Sequence, residues 1–172
     1  MEQIKKKAIL INSNEGTKKV DLVKEMKKYV KVQYVSFEGL LKNIVEPHVR
    51  LVDLTQQTKK YRELLENIKE AFLRYNLHYF SLKMGEIMSD YFLGETRAQL
   101  LIIDIQNTEE FKKFKCSFVK SIPSVVFKDS LSDETDFTCP YDYIIDTSDT
   151  VEDIQYCCLA LLREIGLEAN KK

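Results

Sequence analysis

Apolar and polar positions follow two different periods along this chain, and the switches between them mark out its elements. Lys7-Ala8-Ile9-Leu10-Ile11-Asn12 is a short apolar run that predicts a strand buried on both faces. From about Lys18 to Tyr29 the period becomes helical, with Leu22, Val23 and Met26 as the apolar stripe. Val30 to Val35 alternates and predicts a second strand; Phe37, Leu40, Leu41 and Ile44 then predict a short helix that ends before Pro47. Pro47 to Thr55 carries neither period and reads as a loop crossing the top of a sheet. A long helix begins near Thr58, with Tyr61, Leu64, Leu65, Ile68 and Phe72 on one face, and a further helix covers about His78 to Phe92, stopping near Gly94.

The second half repeats the alternation. Leu100-Leu101-Ile102-Ile103-Asp104-Ile105 predicts a buried parallel strand carrying one acid. Asn107 followed by Glu110 predicts a capped helix to about Phe114, and Ser124 to Phe127, introduced by Pro123, a fourth strand. A polar stretch from Asp129 to Pro140 precedes a fifth strand, Tyr143 to Asp146. The last helix is expected to open on a capping box, Asp149 with Glu152, to carry Val151, Ile154, Cys158, Leu161 and Ile165 as its stripe, and to stop at Gly166. Strand and helix alternate from end to end, the pattern of an α/β fold with a parallel sheet.

Composition narrows the function classes. At 172 residues and 44% apolar the chain is expected to form one compact domain. A formal net charge of -1 provides no basic field for nucleic acid. The clusters Lys5-Lys6-Lys7, Lys18-Lys19 and Lys27-Lys28 read as solvated faces. Ala8 to Ile11 is too short for a signal peptide or a membrane span, so a cytoplasmic location is the expectation, with no membrane partner. Cys116, Cys139, Cys157 and Cys158 include no C-x-x-C pair and are expected as buried or half-buried free thiols.

Candidate chemistry sits after the first strand. Ser13-Asn14-Glu15-Gly16-Thr17-Lys18-Lys19-Val20 occupies the place of a phosphate-binding G-x-x-x-x-G-K-[ST] loop. Such a loop works because backbone N–H groups and a helix amino terminus converge on phosphates, glycines permit the close approach, a lysine neutralises charge and a hydroxyl holds magnesium. Aligned without a gap, Ser13 and Lys18 replace the framing glycines, Lys19 takes the lysine position and Val20 replaces the hydroxyl. Shifted by one, Lys18 is the lysine and Thr17 stands for the second glycine. Neither register restores a hydroxyl after the lysine. An ordinary strand-to-helix turn is the competing reading. Asp104, at the carboxyl end of a buried strand, is placed either to hold Mg²⁺ through water or to cap and pair locally. His48 and His78 lie beside no nucleophile motif and read as structural. Tyr75, Tyr79, Phe80, Tyr91 and Phe92 read as core, or as a platform for a base.

These segments together resemble the phage-type deoxynucleoside monophosphate kinase-like proteins of the P-loop nucleoside monophosphate kinase superfamily. The resemblance rests on Ala8 to Asn12 before the loop, on Lys60-Tyr61-Arg62-Glu63-Leu64-Leu65-Glu66-Asn67-Ile68-Lys69-Glu70-Ala71-Phe72 continuing to Tyr75-Asn76, on Asn107-Thr108-Glu109-Glu110-Phe111-Lys112-Lys113-Phe114, and on Tyr141-Asp142-Tyr143-Ile144-Ile145-Asp146-Thr147. It implies a three-layer α/β/α domain over residues 1–172 with a five-stranded parallel sheet of P-loop kinase type, a helical acceptor insert over about 47–95 and a lid-like loop over about 129–140. It also implies ATP and Mg²⁺ as cofactors, a bacterial or phage source, Lys18, Lys19 and Asp104 as catalytic residues, Asp104 as the metal residue, and Ser13 to Val20 as the nucleotide loop. The departures are specific. The loop has lost framing glycines and the hydroxyl, Ile105-Gln106-Asn107 stands where relatives commonly carry an arginine, Lys128-Asp129 replaces a basic pair, and the lid-like stretch has no arginine. Phosphoryl transfer depends on electrostatic stabilisation. The expectation is therefore a degenerate kinase-like protein that binds a nucleotide or a protein partner, or another copy of itself, with weak or no transfer. An active (deoxy)nucleoside monophosphate kinase is the alternative, and an unrelated α/β module the third reading.

Overall fold

The computed structural model describes residues 5–12, 17–48, 59–119, 121–128, 141–146 and 150–167. Five strands alternate with six helices: β1 Lys7–Asn12, α1 Thr17–Tyr29, β2 Val32–Ser36, α2 Phe37–Val45, α3 Lys59–Tyr75, α4 Tyr79–Leu93, β3 Leu100–Asp104, α5 Thr108–Phe118, β4 Ser124–Lys128, β5 Tyr143–Asp146 and α6 Val151–Glu164, with a 3₁₀ turn over Glu46–His48 after α2. All strand pairs are parallel, in the order β2-β3-β1-β4-β5. This is a three-layer α/β/α fold with a sheet of P-loop kinase type, as the resemblance implied.

The alternation of side chains across the two central strands divides the core. Ile9, Ile11, Leu100 and Ile102 face one layer, where α1 and α6 supply Leu22, Met26, Ile154, Leu161 and Leu162. Ala8, Leu10, Leu101 and Ile103 face the other, against Phe37, Leu41, Phe80, Met84, Phe111 and Phe114 from α2, α4 and α5. Every residue of β3 is buried, which is why its sequence is a continuous apolar run rather than an alternating one. Each fully buried aliphatic side chain contributes about 1.5–3 kcal/mol relative to exposure. Apolar burial on both faces is therefore the main force that keeps β1 and β3 side by side. Their register sets Ile11 beside Asp104, and Ser36 of β2 beside Asp104 on the other side.

Several local expectations are corrected. The box that opens α6 is Thr150 with Asp153, not Asp149 with Glu152: Thr150 accepts from the Asp153 N–H, and the Asp153 carboxylate accepts from the Thr150 N–H at 2.8 Å. β2 runs two residues later at its start than the alternation predicted, and α5 continues to Phe118. The lysine clusters are not uniformly solvated. Lys6 donates to the Tyr91 carbonyl at 2.8 Å and to that of Gly94, closing the carboxyl end of α4, and Lys19 is buried. Cys116 is exposed, whereas Cys157 is half-buried and Cys158 buried. Phe80 and Tyr91 belong to the core, but Tyr75 is 90% exposed. Gly166 terminates α6 with a φ of 74°, in the left-handed region that favours glycine. Most of the predicted 47–55 loop, the lid-like 129–140 stretch and Cys139 lie outside the described residues.

Candidate functional site

β1 and β3 deliver their carboxyl ends to one edge of the sheet, and the first turn of α1 lies over that edge. Ser13, Asn14, Glu15 and Gly16 lie outside the described residues, and Thr17 opens α1. The first turn of α1 contains no acidic residue of its own to offset its amide dipoles. The two candidate lysines part company here. The charge of Lys18 acts on Asp153 at the start of α6, where it helps hold that carboxyl below its usual range after the Thr150 hydrogen bonds have done most of the work. Lys19 turns inward and donates to Asp104 Oδ2 at 2.6 Å. Val20, at the position of the missing hydroxyl, is 47% exposed.

Asp104 is the centre of this corner. Only 1% of it is exposed, and its Oδ2 also accepts from the Tyr34 hydroxyl at 2.5 Å. Tyr34 stands opposite Ile102 in β2, two residues from Asp104 along β3 and on the same face of the sheet. Burial, followed by the negative charge of Asp104, pushes the Tyr34 phenol well above its ordinary range. Oδ2 thus serves two donors, while Oδ1 is buried and has none. A buried carboxylate oxygen without a donor is costly, and such atoms are rare in folded proteins.

The backbone that follows Asp104 is pinned by the residue that precedes the loop. Asn12, itself buried, donates through Nδ2 to the carbonyls of Ile105 at 2.7 Å and Gln106 at 3.2 Å. Tyr141 donates to Asn12 Oδ1 at 3.3 Å and stacks on Phe111. Neither Asn12 nor Tyr34 was singled out from the sequence. A polar residue closing an otherwise apolar strand was the available signal for Asn12; nothing local marked Tyr34, because its role depends on β2 pairing with β3.

Beside Asp104 a cavity of about 140 Å³ opens between the ends of β3 and the helices α2, α3, α4 and α5. Phe37, Leu41, Leu65 and Phe80 form its apolar wall, and the rings of Phe37 and Phe80 stack at 5.5 Å. A second cleft, of about 440 Å³, lies at the opposite edge of the sheet, where Lys6, Pro123 and Asp142 contribute to its lining. Ligands of open α/β sheets bind at the carboxyl edge, so the smaller cavity is the one that belongs to the candidate site.

The donor set does not fit a magnesium ion. Asp104 Oδ2 already carries an ammonium and a phenol, and Val20 stands where a hydroxyl would complete the set. Among the described residues no three His, Cys, Asp or Glu side chains converge as a metal site. Nor, among them, is any helix long and apolar enough to cross a membrane.

No family model matches the chain. It is similar to two curated sequences, each talin-A of Dictyostelium discoideum: 31% identical over 99 residues, covering 54% of this chain and 7% of that protein, and 31% identical over 90 residues, covering 49% and 4%. The chain spans less than a tenth of the length of these relatives.

Proposed function

We propose that this is a degenerate P-loop nucleotide kinase-like protein that binds nucleotide phosphates against the amino end of α1 and transfers a phosphoryl group weakly or not at all. The observation that carries the reading is the buried pair of Lys19 and Asp104. A phosphate-loop lysine must be free to meet phosphate. Drawing Lys19 away leaves Asp104 buried without its counter-charge, which costs about 3–5 kcal/mol. A triphosphate can offset that cost on binding, because it offers Lys19 a stronger anion and the helix terminus an acceptor. At the positions compared in the sequence, the usual stabilisers of the transferring group are missing. The hydroxyl is Val20, the position commonly held by arginine reads Ile105-Gln106-Asn107, and loss of one such arginine alone costs about 10³ or more in rate.

The alternative, an active (deoxy)nucleoside monophosphate kinase using ATP, draws on the same geometry. A lysine after β1 and an acid ending β3 stand 2.6 Å apart at the edge where such chemistry occurs. A cytoplasmic location and a phage or bacterial source belong to the same proposal.

Calorimetric titration with ATP, with and without Mg²⁺, tests it alongside an assay for ADP release in the presence of monophosphate acceptors. The expected result is ATP binding that changes little with Mg²⁺ and weakens in the double variant Lys19→Met with Asp104→Leu, with no acceptor-dependent ADP. Acceptor-dependent ADP release establishes the alternative. Absence of ATP binding removes both and leaves a protein partner or a second copy of the chain as the occupant of this edge.

A further inference from the structure

The run Lys5-Lys6-Lys7 has no part in the nucleotide corner; it lies at the opposite, amino edge of the sheet, where α4 and α6 end. Two of its ammonium groups serve those helix ends. Lys6 donates to the Tyr91 carbonyl at 2.8 Å and to that of Gly94, beyond α4. Lys5 lies over Gly166, where an added Cβ would stand 2.8 Å from its Nζ. Both charges offset the negative carboxyl-end dipoles. Lys7 is the one left over. Its backbone N–H donates to the Gln99 carbonyl at 2.9 Å and its carbonyl accepts from the Tyr91 hydroxyl at 3.0 Å. Its half-buried ammonium has no partner among the described residues.

Lys7 lines the cleft of about 440 Å³ at this edge, a volume within the range of small-molecule sites. Phe92, Ile122, Pro123 and Ile165 give the cleft apolar walls, and Phe92 is 43% exposed. The two acids of the lining are already engaged. Asp142 is met by Lys115 and Ser124. Glu164 accepts from the Tyr143 hydroxyl; burial, then that bond, pushes the phenol up to about 12, so its proton stays in place at neutral pH. Lys6, Lys7 and Lys115 thus stand against Asp142 and Glu164, an excess of one positive charge. From the unpaired Lys7 ammonium in a cleft with an exposed aromatic wall, we propose that this cleft binds a small aromatic monocarboxylate, its ring against Phe92 and its carboxylate on Lys7. A phosphomonoester suits the cleft less, because its second charge would face Asp142 and Glu164 with no cation left to meet it. The site is separate from the nucleotide corner, and neither reading depends on the other.

The test is isothermal titration of the full chain with four probes of one shape: phenylacetate, phenylacetamide, benzylammonium and phenyl phosphate. Phenylacetate is expected to bind about fivefold or more tighter than the neutral amide, with benzylammonium the weakest and phenyl phosphate no tighter than phenylacetate. Lys7→Met keeps both backbone bonds of residue 7 and is expected to bring phenylacetate down to the level of phenylacetamide. Retained phenylacetamide binding shows that this variant is folded. Phe92→Ala is expected to weaken phenylacetate and phenylacetamide alike, several-fold, by removing the ring contact. Absence of phenylacetate binding at about 10 mM overturns the proposal. So does phenylacetamide or benzylammonium binding as tightly as phenylacetate, phenyl phosphate binding more tightly, or a preference for phenylacetate that survives in Lys7→Met.

Discussion

Both edges of the sheet bury a lysine against an aspartate, and they do so in opposite ways. At the amino edge, Lys115 donates to the Ile122 carbonyl and to Asp142 Oδ2, which also accepts from the Ser124 N–H at 2.7 Å and the Ser124 hydroxyl at 2.8 Å. Asp142 keeps 49% of its side chain in water, and no buried polar side-chain atom of this group lacks a partner. At the carboxyl edge, Asp104 is shut away from solvent, with two donors on Oδ2 and none on its buried Oδ1. The wider cleft lies at the satisfied edge and the smaller cavity at the unsatisfied one. A completed network is what a fold uses to hold two segments together, whereas a half-completed one is a place that still has bonding capacity to offer. Cavity size alone would have chosen the wrong edge for the nucleotide.

The strongest way to break the comparison is to remove one charge from the buried pair. Lys19→Ala leaves Asp104 ionised and enclosed and is expected to cost about 3–5 kcal/mol in urea unfolding. Replacing both partners together, Lys19→Met with Asp104→Leu, is expected to recover most of that loss, because two apolar side chains of similar volume carry no desolvation cost. If the double variant is no more stable than the single one, the pair is not an isolated buried charge pair, and its inward turn needs another explanation.

At the amino edge the corresponding experiment is Asp142→Ala. Three donors lose their acceptor, but the site is half open and water replaces part of what is lost, so the expected cost is about 1–3 kcal/mol. Nucleotide binding is expected to be unchanged. A larger loss here than for Lys19→Ala would reverse the ranking of the two edges.

How much of this was legible before folding depends on how far apart the partners are in the chain. β1 and β3 could be read because a strand buried on both faces must be apolar throughout, a purely local requirement. Lys19 and Asp104 were each visible as candidates, yet the loop admitted two registers, and only the start of α1 at Thr17 decides between the lysines. Successive residues on a helix differ by roughly 100° in direction, so Lys18 leaves Asp104 to Lys19, and its charge acts on Asp153 instead. The α6 cap was misplaced for a related reason. Asp149/Glu152 and Thr150/Asp153 are overlapping boxes of the same spacing, and a one-residue shift in helix start selects between them. Tyr34 was invisible because it enters the site across a strand pairing that joins residues about seventy positions apart.

Tyr34→Phe separates the two donors on Asp104. Tyr34 is 39% exposed as a residue, so water can compensate in part, and the expected cost is about 1 kcal/mol. In a cycle with Lys19→Ala the two losses are expected to be non-additive, since both donors serve Oδ2. Strict additivity would mean that one of these bonds does not form in solution.

The smallest expected effect is in pH, where the two edges respond in opposite windows. Hydrogen bonds from Ser124 and the charge of Lys115 overcome the opposing effect of burial and hold the Asp142 carboxyl below its ordinary value of 3.8. A depressed acid contributes stability that is present above its unfolded value and lost as pH falls through the folded one, so the amino edge weakens in acid, below about pH 4. Tyr34 behaves in the reverse sense. Burial first, and the Asp104 charge second, raise its phenol above the ordinary 10.0. The folded state therefore keeps a proton there that the unfolded chain releases, and stability declines as pH rises beyond about 10. Asp142→Asn is expected to remove its own share of the acid limb, to which the depressed acids Glu25, Glu38 and Asp153 also contribute, and leave the alkaline limb intact, and Tyr34→Phe to remove its share of the alkaline limb alone. Because Asp142 is half exposed, its limb should be shallow, well under about 1 kcal/mol. Ultraviolet titration of tyrosine ionisation gives an independent check: burial raises the phenols of Tyr34, Tyr61, Tyr91 and Tyr143, and this resistant class should lose one member in Tyr34→Phe. If both variants alter the same limb, the two edges are electrostatically coupled through the sheet and cannot be treated as separate devices.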